Sequence, residues 1–209
     1  MLLAWAFDAR GAPFSSELVL GPPGPTQRAV HAMSSDAEFD GELYWVTYES
    51  GLELPVTGGA LFALRVTEDG QVLDPNGLFV ARYASGPYHT LSAAPWGALV
   101  TYFGSGDSLI AARLGRDGKS ADASPRVLAD GVEVYPYPAT ACLAGSCLVT
   151  FSTGDRIEAI TLDGCGEPLP EVRLELPFGY WKPYPAGDGY VFVGSPESPS
   201  ARIPCKRSA

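Results

Sequence analysis

Short apolar segments recur along the chain, and each is bounded by glycine, proline, aspartate or serine. Representative segments lie at residues 44–48, 98–102 and 147–151, and they consist mainly of β-branched, aromatic and leucine side chains. Such side chains favour strands. The 24 glycines and 19 prolines are spread over all 209 residues, which excludes long helices. The pattern predicts an all-β fold.

One apolar pattern repeats at a fixed interval. It occupies residues 61–66, 109–114 and 157–162, so that both steps are 48 residues, and each copy is followed by a glycine. A fourth copy begins near the N-terminus and is offset by 59 residues (Gly11 to Gly70), with insertions at 35–40 and 49–59 accounting for the difference. Insertions at turns are what a structural repeat tolerates.

A second strand-like motif lies between these copies, and each copy of it follows a tight turn. One unit therefore contains strand, turn, strand, loop, strand, Asp-Gly turn and strand, which is typical of a β-propeller blade. An immunoglobulin-like sandwich does not repeat a residue pattern in this way, and a parallel β-helix repeats at roughly 20 to 30 residues.

The repeat divides the chain into a half blade at 1–20, blades at about 29–80, 87–129 and 136–176, and a half blade at 181–209. Two arrangements stay open. The terminal halves combine into a closed four-bladed ring, or the chain forms a partial, open arc of a larger propeller. In the second arrangement residues 200–203, which resemble 111–114, form the third strand of a further blade.

Charge narrows the classes of partner. Asp+Glu 24 against Lys+Arg 14 gives a net charge of −10, which disfavours binding to nucleic acid and to anionic membranes. No apolar run approaches the roughly 18 residues that span a bilayer. The first eight residues lack a basic segment, so we expect no export signal within this chain.

The four cysteines indicate a disulfide rather than a metal site. Cys142 and Cys147 flank a turn between two strand-like segments, where a bridge is geometrically feasible, although two reduced buried thiols are the alternative. A Cys165–Cys205 bridge is less favoured. A real disulfide would imply an oxidising compartment.

The motif Leu99-Val100-Thr101-Tyr102, followed by residues 110–114 and by Asp117-Gly118, resembles the tandem β-propeller repeats of large exported proteins of high-GC bacteria. Residues 148–151 and 157–162 carry it again. The resemblance implies an extracytoplasmic binding or scaffold module, and it implies a cysteine pair in the hairpin. It transfers no catalytic residue.

Aromatic side chains interleaved with prolines cluster at the predicted inter-blade loops. They are Tyr83, Tyr88, Tyr135, Tyr137, Phe178, Tyr180, Trp181 and Tyr184. In a propeller these loops meet at one mouth of the channel, where flat rings suit sugars or an extended proline-rich peptide. The alternative is that the rings plug the channel and stiffen the loops.

The two histidines are the remaining candidates. His89 aligns with Pro138 and Trp181 in the repeat, and His31 falls close to the same place. They could share a metal or a substrate, but satisfied polar residues at strand starts are the simpler interpretation, so we predict no metal and no cofactor.

The sequence contains none of the hydrolase, phosphate-loop or EF-hand motifs. We therefore expect a binding module without a catalytic site, whose protein or glycan ligand contacts Tyr88, His89, Tyr137, Tyr180, Trp181 and Tyr184. The alternative is a lectin-like module or a polysaccharide-acting enzyme, with Glu49, Glu133 or Asp155 as acid and base.

Overall fold

The computed structural model describes residues 2–4, 18–20, 35–50, 60–82, 88–104, 106–122, 124–132, 137–153, 156–169, 176–177, 180–194 and 201–204. All regular elements in these ranges are strands. They are β1 (Leu2–Ala4), β2 (Leu18–Leu20), β3 (Ser35–Phe39), β4 (Leu43–Ser50), β5 (Ala60–Thr67), β6 (Leu78–Arg82), β7 (His89–Ala94), β8 (Gly97–Phe103), β9 (Leu109–Gly115), β10 (Arg126–Ala129), β11 (Ala139–Leu143), β12 (Ser146–Ser152), β13 (Arg156–Asp163), β14 (Leu176–Pro177), β15 (Trp181–Ala186), β16 (Gly189–Gly194) and β17 (Ala201–Pro204). No helix in the described ranges is long and apolar enough to cross a membrane.

The strands form successive antiparallel sheets in which spatial order follows chain order. Blade 1 is β3–β6, blade 2 is β7–β10, blade 3 is β11–β14, and blade 4 is the three-stranded sheet β15–β17. β1 and β2 form a separate hairpin. The first strands of consecutive blades, β3, β7, β11 and β15, lie beside one another. The predicted all-β fold of four-stranded antiparallel blades is therefore confirmed, and the arrangement is that of a β-propeller.

Apolar side chains fill every junction between blades. We call the side of a blade that faces the next blade its forward face, and the opposite side its back face. Leu99 packs from the forward face of blade 2 against blade 3, while Val100 packs from its back face against blade 1. Leu148 and Val149 repeat this arrangement in blade 3. Because both faces are covered, consecutive residues of the second strand are apolar.

A disulfide links Cys142 of β11 to Cys147 of β12, two residues that pair directly across the strands. Both are buried at the junction with blade 2. The predicted bridge is therefore confirmed. Cys165 is exposed and forms no disulfide among the described residues, and Cys205 lies outside them.

An arginine on the third strand joins each of the first two blades to the next one. Arg65 forms an ion pair with Asp74 of its own blade, at 2.7 Å, and donates to the carbonyl oxygen of Arg116 in blade 2. Arg113 likewise pairs with Asp122 and donates to the carbonyl oxygen of Gly164 in blade 3. Blade 3 has Thr161 at this position.

The third strand of blade 4 is β17, which follows β16 in sequence. Arg202 of β17 pairs with Val191. This is the register position of Arg65, opposite Trp45, and of Arg113, opposite Leu99. In the described residues the third place in blade 4 is thus taken by β17 and not by the N-terminal hairpin.

Candidate functional site

Three tyrosines occupy one equivalent position at the start of successive blades. Thr90, Ala139 and Lys182 are equivalent first-strand residues, because they pair with Thr101, Thr150 and Val193 at one position of the second strand. The three tyrosines, Tyr88, Tyr137 and Tyr180, each lie two residues before one of them. Because the first strands lie side by side, these tyrosines approach the channel from the same end. We call them the tyrosine rim.

The three rings of the rim differ in exposure: Tyr88 is packed against the protein, whereas Tyr137 and Tyr180 are exposed. The rings of Tyr88 and Tyr137 stack, with centroids 4.2 Å apart and planes 20° apart. Tyr88 is half-buried against the junction of blades 2 and 3, whereas Tyr137 is 41% exposed and Tyr180 is 45% exposed. The stack holds Tyr137 in a defined orientation, so the site presents flat apolar faces carrying a phenol hydroxyl.

His89 lies directly below the rim and contacts blade 1. Its Nε2 is 3.0 Å from Oγ1 of Thr47. Burial lowers the pKa of His89 to about 4, although the charge of Asp36 acts in the opposite direction. The imidazole is therefore neutral at pH 7. No group of three metal-ligating side chains occurs in the part of the chain that the structure describes.

His31 lies outside the described residues, and Ser35 holds the register position that corresponds to His89. Ser35 pairs with Tyr48, and His89 pairs with Tyr102. The correspondence between His31 and His89 that the sequence suggested therefore stays a prediction.

Trp181 and Tyr184 lie away from the rim. The Trp181 ring is buried between blades 3 and 4, and a Cβ at Gly194 would lie 2.6 Å from it. Tyr184 is 45% exposed, but it lies toward the β15–β16 turn, at the opposite end of the first strand from Tyr180.

Polar side chains of the first strands bind the neighbouring blade. Asp36 and Glu38 accept hydrogen bonds from the backbone N–H groups of Leu91 and Ala93, at 3.1 and 2.9 Å. Ser92 accepts one from Cys142 N, at 2.9 Å. Each first strand has one edge without a strand neighbour in its sheet, and these side chains satisfy its donors.

Burial raises the pKa of Glu38, a hydrogen bond from Ala93 N–H opposes this effect, and the negative charge of Asp36 adds to it. The apolar repeat does not mark this pair of carboxylates, so the sequence did not predict it. The pair could have been found in the sequence, because Asp36 and Glu38 alternate in the first strand of blade 1 at the positions where blade 2 has Thr90 and Ser92.

The carboxylates that an enzyme would need are only partly described. Glu49 is buried, at 5% exposure, near the loop end of β4, on the face that carries Thr47 toward blade 2. Glu133 and Asp155 lie outside the described residues, as do Tyr83, Tyr135 and Phe178.

No protein-family model matches the chain, and no curated protein matches it. Among solved structures it is similar to a GH43 endo-arabinanase from Bacillus licheniformis, with 14% identity, coverage of 81% of this chain and 71% of that chain, and a TM-score of 0.41. It is also similar to the fungal Aleuria aurantia lectin, a six-bladed β-propeller with fucose recognition, at 12% identity, 80% and 58% coverage and a TM-score of 0.46. The native arabinanase Arb43A of Bacillus subtilis gives 14% identity, 79% and 70% coverage and a TM-score of 0.42. At these scores the likenesses carry no functional argument.

Proposed function

We propose that this protein is an extracytoplasmic carbohydrate-binding module whose ligand stacks on the tyrosine rim. The observation that carries the proposal is the exposure of Tyr137 and Tyr180 at equivalent positions of adjacent blades. An exposed aromatic ring offers a flat apolar face on which the apolar face of a pyranose ring can stack.

The electrostatics of the rim favour a neutral ligand. His89 beneath it is uncharged at pH 7, and the net charge of the chain is −10. Polyanionic ligands would be repelled by the overall field. The ligand class is therefore a neutral oligosaccharide, with an extended proline-rich peptide as the alternative ligand of the same rings.

The buried disulfide supports an extracytoplasmic location. A Cys142–Cys147 bridge persists in an oxidising environment and is rare in the cytosol. We therefore assign the module to the cell surface, the periplasm or the medium.

The test is a neutral-glycan array followed by calorimetric titration of the glycan that binds most strongly. Tyr137→Ala and Tyr180→Ala should each weaken binding about tenfold, because each removes one stacking face. Tyr184→Ala is the matched control, since Tyr184 has the same exposed fraction as Tyr180 but lies toward the β15–β16 turn, away from the rim. Equal losses in all three variants, or no glycan bound, would refute the proposal.

A polysaccharide-acting enzyme is the second candidate, and the observation in its favour is Glu49, a buried carboxylate near the loop end of β4. Glycoside hydrolysis needs two carboxyl groups roughly 5 to 10 Å apart. If a bound glycan is cleaved, reducing ends should accumulate, and Glu49→Gln should abolish their release while binding persists. Cleavage at the wild-type rate in Glu49→Gln would remove Glu49 from this role.

A further inference from the structure

The first strands of blades 1 and 2 bind the next blade through side chains that accept hydrogen bonds from its backbone N–H groups. The accepting side chains are Asp36, Glu38 and Ser92, and the donors are the N–H groups of Leu91, Ala93 and Cys142. Ser92 holds the register position of Glu38, because the two pair with Leu99 and Trp45 at one position of the second strand. We call these bonds the first-strand hydrogen bonds. They recur in register at the first two junctions between blades.

The junction of blades 3 and 4 lacks both partners of the first-strand hydrogen bonds. Alanine occupies the register positions of the two acceptors of blade 1, and proline, which has no N–H, occupies the positions of the two donors of blade 2. These residues are Ala139 and Ala141 in β11, and Pro183 and Pro185 in β15. No donor is left without an acceptor, so these two strands can lie side by side without hydrogen bonds between them. The third-strand arginine is also replaced in blade 3, by Thr161.

The two ends of this junction are held differently. At the far end, opposite the rim, the hydroxyl of Tyr190 donates to the carbonyl oxygen of Ser146 beside the β11–β12 turn, at 3.1 Å. Nearer the rim, Oγ1 of Thr150 lies 3.5 Å from the carbonyl oxygen of Trp181, which is longer than a normal hydrogen bond. Apolar packing of Trp181 and its neighbours closes the rest. The rim end is therefore held mainly by packing, and the far end also by a hydrogen bond.

The two exposed rings of the tyrosine rim lie on either side of this junction. Tyr137 precedes the first strand of blade 3, and Tyr180 precedes the first strand of blade 4. Tyr137 is also stacked on Tyr88, which packs at the junction of blades 2 and 3. A displacement of blade 4 would therefore move Tyr180 relative to Tyr137 and leave the stack of Tyr88 and Tyr137 intact.

From these contacts we propose that the junction of blades 3 and 4 opens at the rim in the free protein, about its far end, and that an oligosaccharide stacked on Tyr137 and Tyr180 holds it closed. Local opening needs least free energy where few specific bonds must break. A ligand that contacts both rings only in the closed form shifts the population toward that form. The opening rests on the residues of the junction alone, whereas closure by the ligand rests on the proposed function.

Three buried alanines allow a matched test, because they occupy one position on the forward faces of successive blades. They are Ala63, Ala111 and Ala159, which are 0%, 4% and 1% exposed, pair with the equivalent threonines of the second strands, and each lie in a different junction. Each is replaced by cysteine in a chain that carries Cys165→Ser and Cys205→Ser, and alkylation by iodoacetamide is followed under native conditions. Complete unfolding contributes equally to all three rates, so a difference between them reports local opening.

Ala159→Cys should react about tenfold faster than Ala63→Cys and Ala111→Cys. Ala141→Cys gives the direction of the opening, since Ala141 lies on the same face, is 3% exposed and is two residues nearer the far end in register. It should react more slowly than Ala159→Cys. Equal rates at the three matched positions would overturn the opening. Equal rates in Ala141→Cys and Ala159→Cys would show that blade 4 detaches as a whole, and opening about the far end would be wrong.

Building a first-strand hydrogen bond into this junction tests its cause. Ala139→Asp combined with Pro183→Leu copies the bond between Asp36 and Leu91 of the first junction. The double substitution should slow alkylation of Ala159→Cys to the rate of Ala111→Cys. Ala139→Asp alone should not slow it, because the buried carboxylate then has no donor. An unchanged rate in the double variant would contradict the assignment of the opening to the missing hydrogen bonds.

The oligosaccharide half of the proposal is tested with the neutral glycan that the array selects. At saturation this glycan should slow alkylation of Ala159→Cys and leave Ala63→Cys and Ala111→Cys unchanged. A glycan that binds without slowing the reaction would overturn closure by the ligand. If no glycan binds, the proposed function and the closure are both wrong, and the rates in the free chain alone decide whether the junction opens.

Discussion

Gly118 allows Arg65 of blade 1 to lie against the β9–β10 turn of blade 2, and Gly118→Ala should weaken that junction. Gly118 has a φ of +79°, and a Cβ there would lie 2.6 Å from Nη2 of Arg65. Gly106 is a matched control, since its φ is +78° and nothing lies within 4 Å of the position of its Cβ. Alanine at either position therefore adopts the same unfavourable positive φ, but only at Gly118 would its Cβ also collide with Arg65.

The expected magnitude follows from these contacts. Placing alanine at a positive φ costs about 1 kcal/mol, and this cost applies at both positions. At Gly118 the guanidinium must also move, although Asp74 holds it at 2.7 and 2.8 Å. Losing its bond to the Arg116 carbonyl costs about 2 kcal/mol. We expect losses of about 3 kcal/mol for Gly118→Ala and about 1 kcal/mol for Gly106→Ala.

Urea unfolding followed by tryptophan fluorescence measures both losses. The comparison is then repeated in a background of Arg65→Ala with Asp74→Ala, which removes the arginine without leaving a buried carboxylate unpaired. In that background both glycine substitutions should cost about 1 kcal/mol. Equal losses in the wild-type background, or an extra cost that survives without Arg65, would refute the reasoning.

Two further predictions concern the disulfide and His89. The Cys142–Cys147 bridge spans a sequence separation of 5, so its loss on reduction should lower the free energy of unfolding by about 2 kcal/mol, with no response in a Cys142→Ala/Cys147→Ala control. The pKa of His89 is about 4 in the folded chain against 6.5 unfolded, so unfolded chains bind the proton first as pH falls. Stability should drop by about 3 kcal/mol between pH 6.5 and 4, and His89→Gln should remove this loss. Glu38, whose pKa is raised by burial, acts in the opposite direction in both proteins. A drop of equal size in both proteins would contradict the assignment to His89.

The fold class was predictable because the apolar periodicity and the turn residues agree along the chain. Glycine and aspartate at the turns, and consecutive apolar residues such as Leu99 and Val100, are local consequences of a blade covered on both faces. The Cys142–Cys147 bridge was predictable for the same reason, since the turn between the two cysteines sets their pairing.

The candidate site was harder to predict because side chains alternate between the two faces of a strand. Tyr180 and Trp181 are adjacent, and the sequence treats them alike, yet one is exposed at the rim and the other is buried between blades. Only the register of β15 against β16 separates them. The inter-blade arginines were visible as Arg65 and Arg113 at the 48-residue interval, but their partners are backbone carbonyls, which no sequence pattern marks.

The rim and the arginines lie at opposite ends of the blades, and this separation makes ligand binding at the rim and stability of the junctions independently testable. Tyr137 precedes a first strand, whereas Arg65 lies near the far end of a third strand, beside the Asp-Gly turns. In an antiparallel blade the start of the first strand and the end of the third are at opposite ends. Substitutions at the rim should therefore change ligand affinity without changing the junctions, and substitutions at Gly118 should change stability without touching the ligand. A rim variant that also destabilised the chain by more than about 1 kcal/mol would show that the tyrosines stiffen the loops, which is the structural role that the sequence left open.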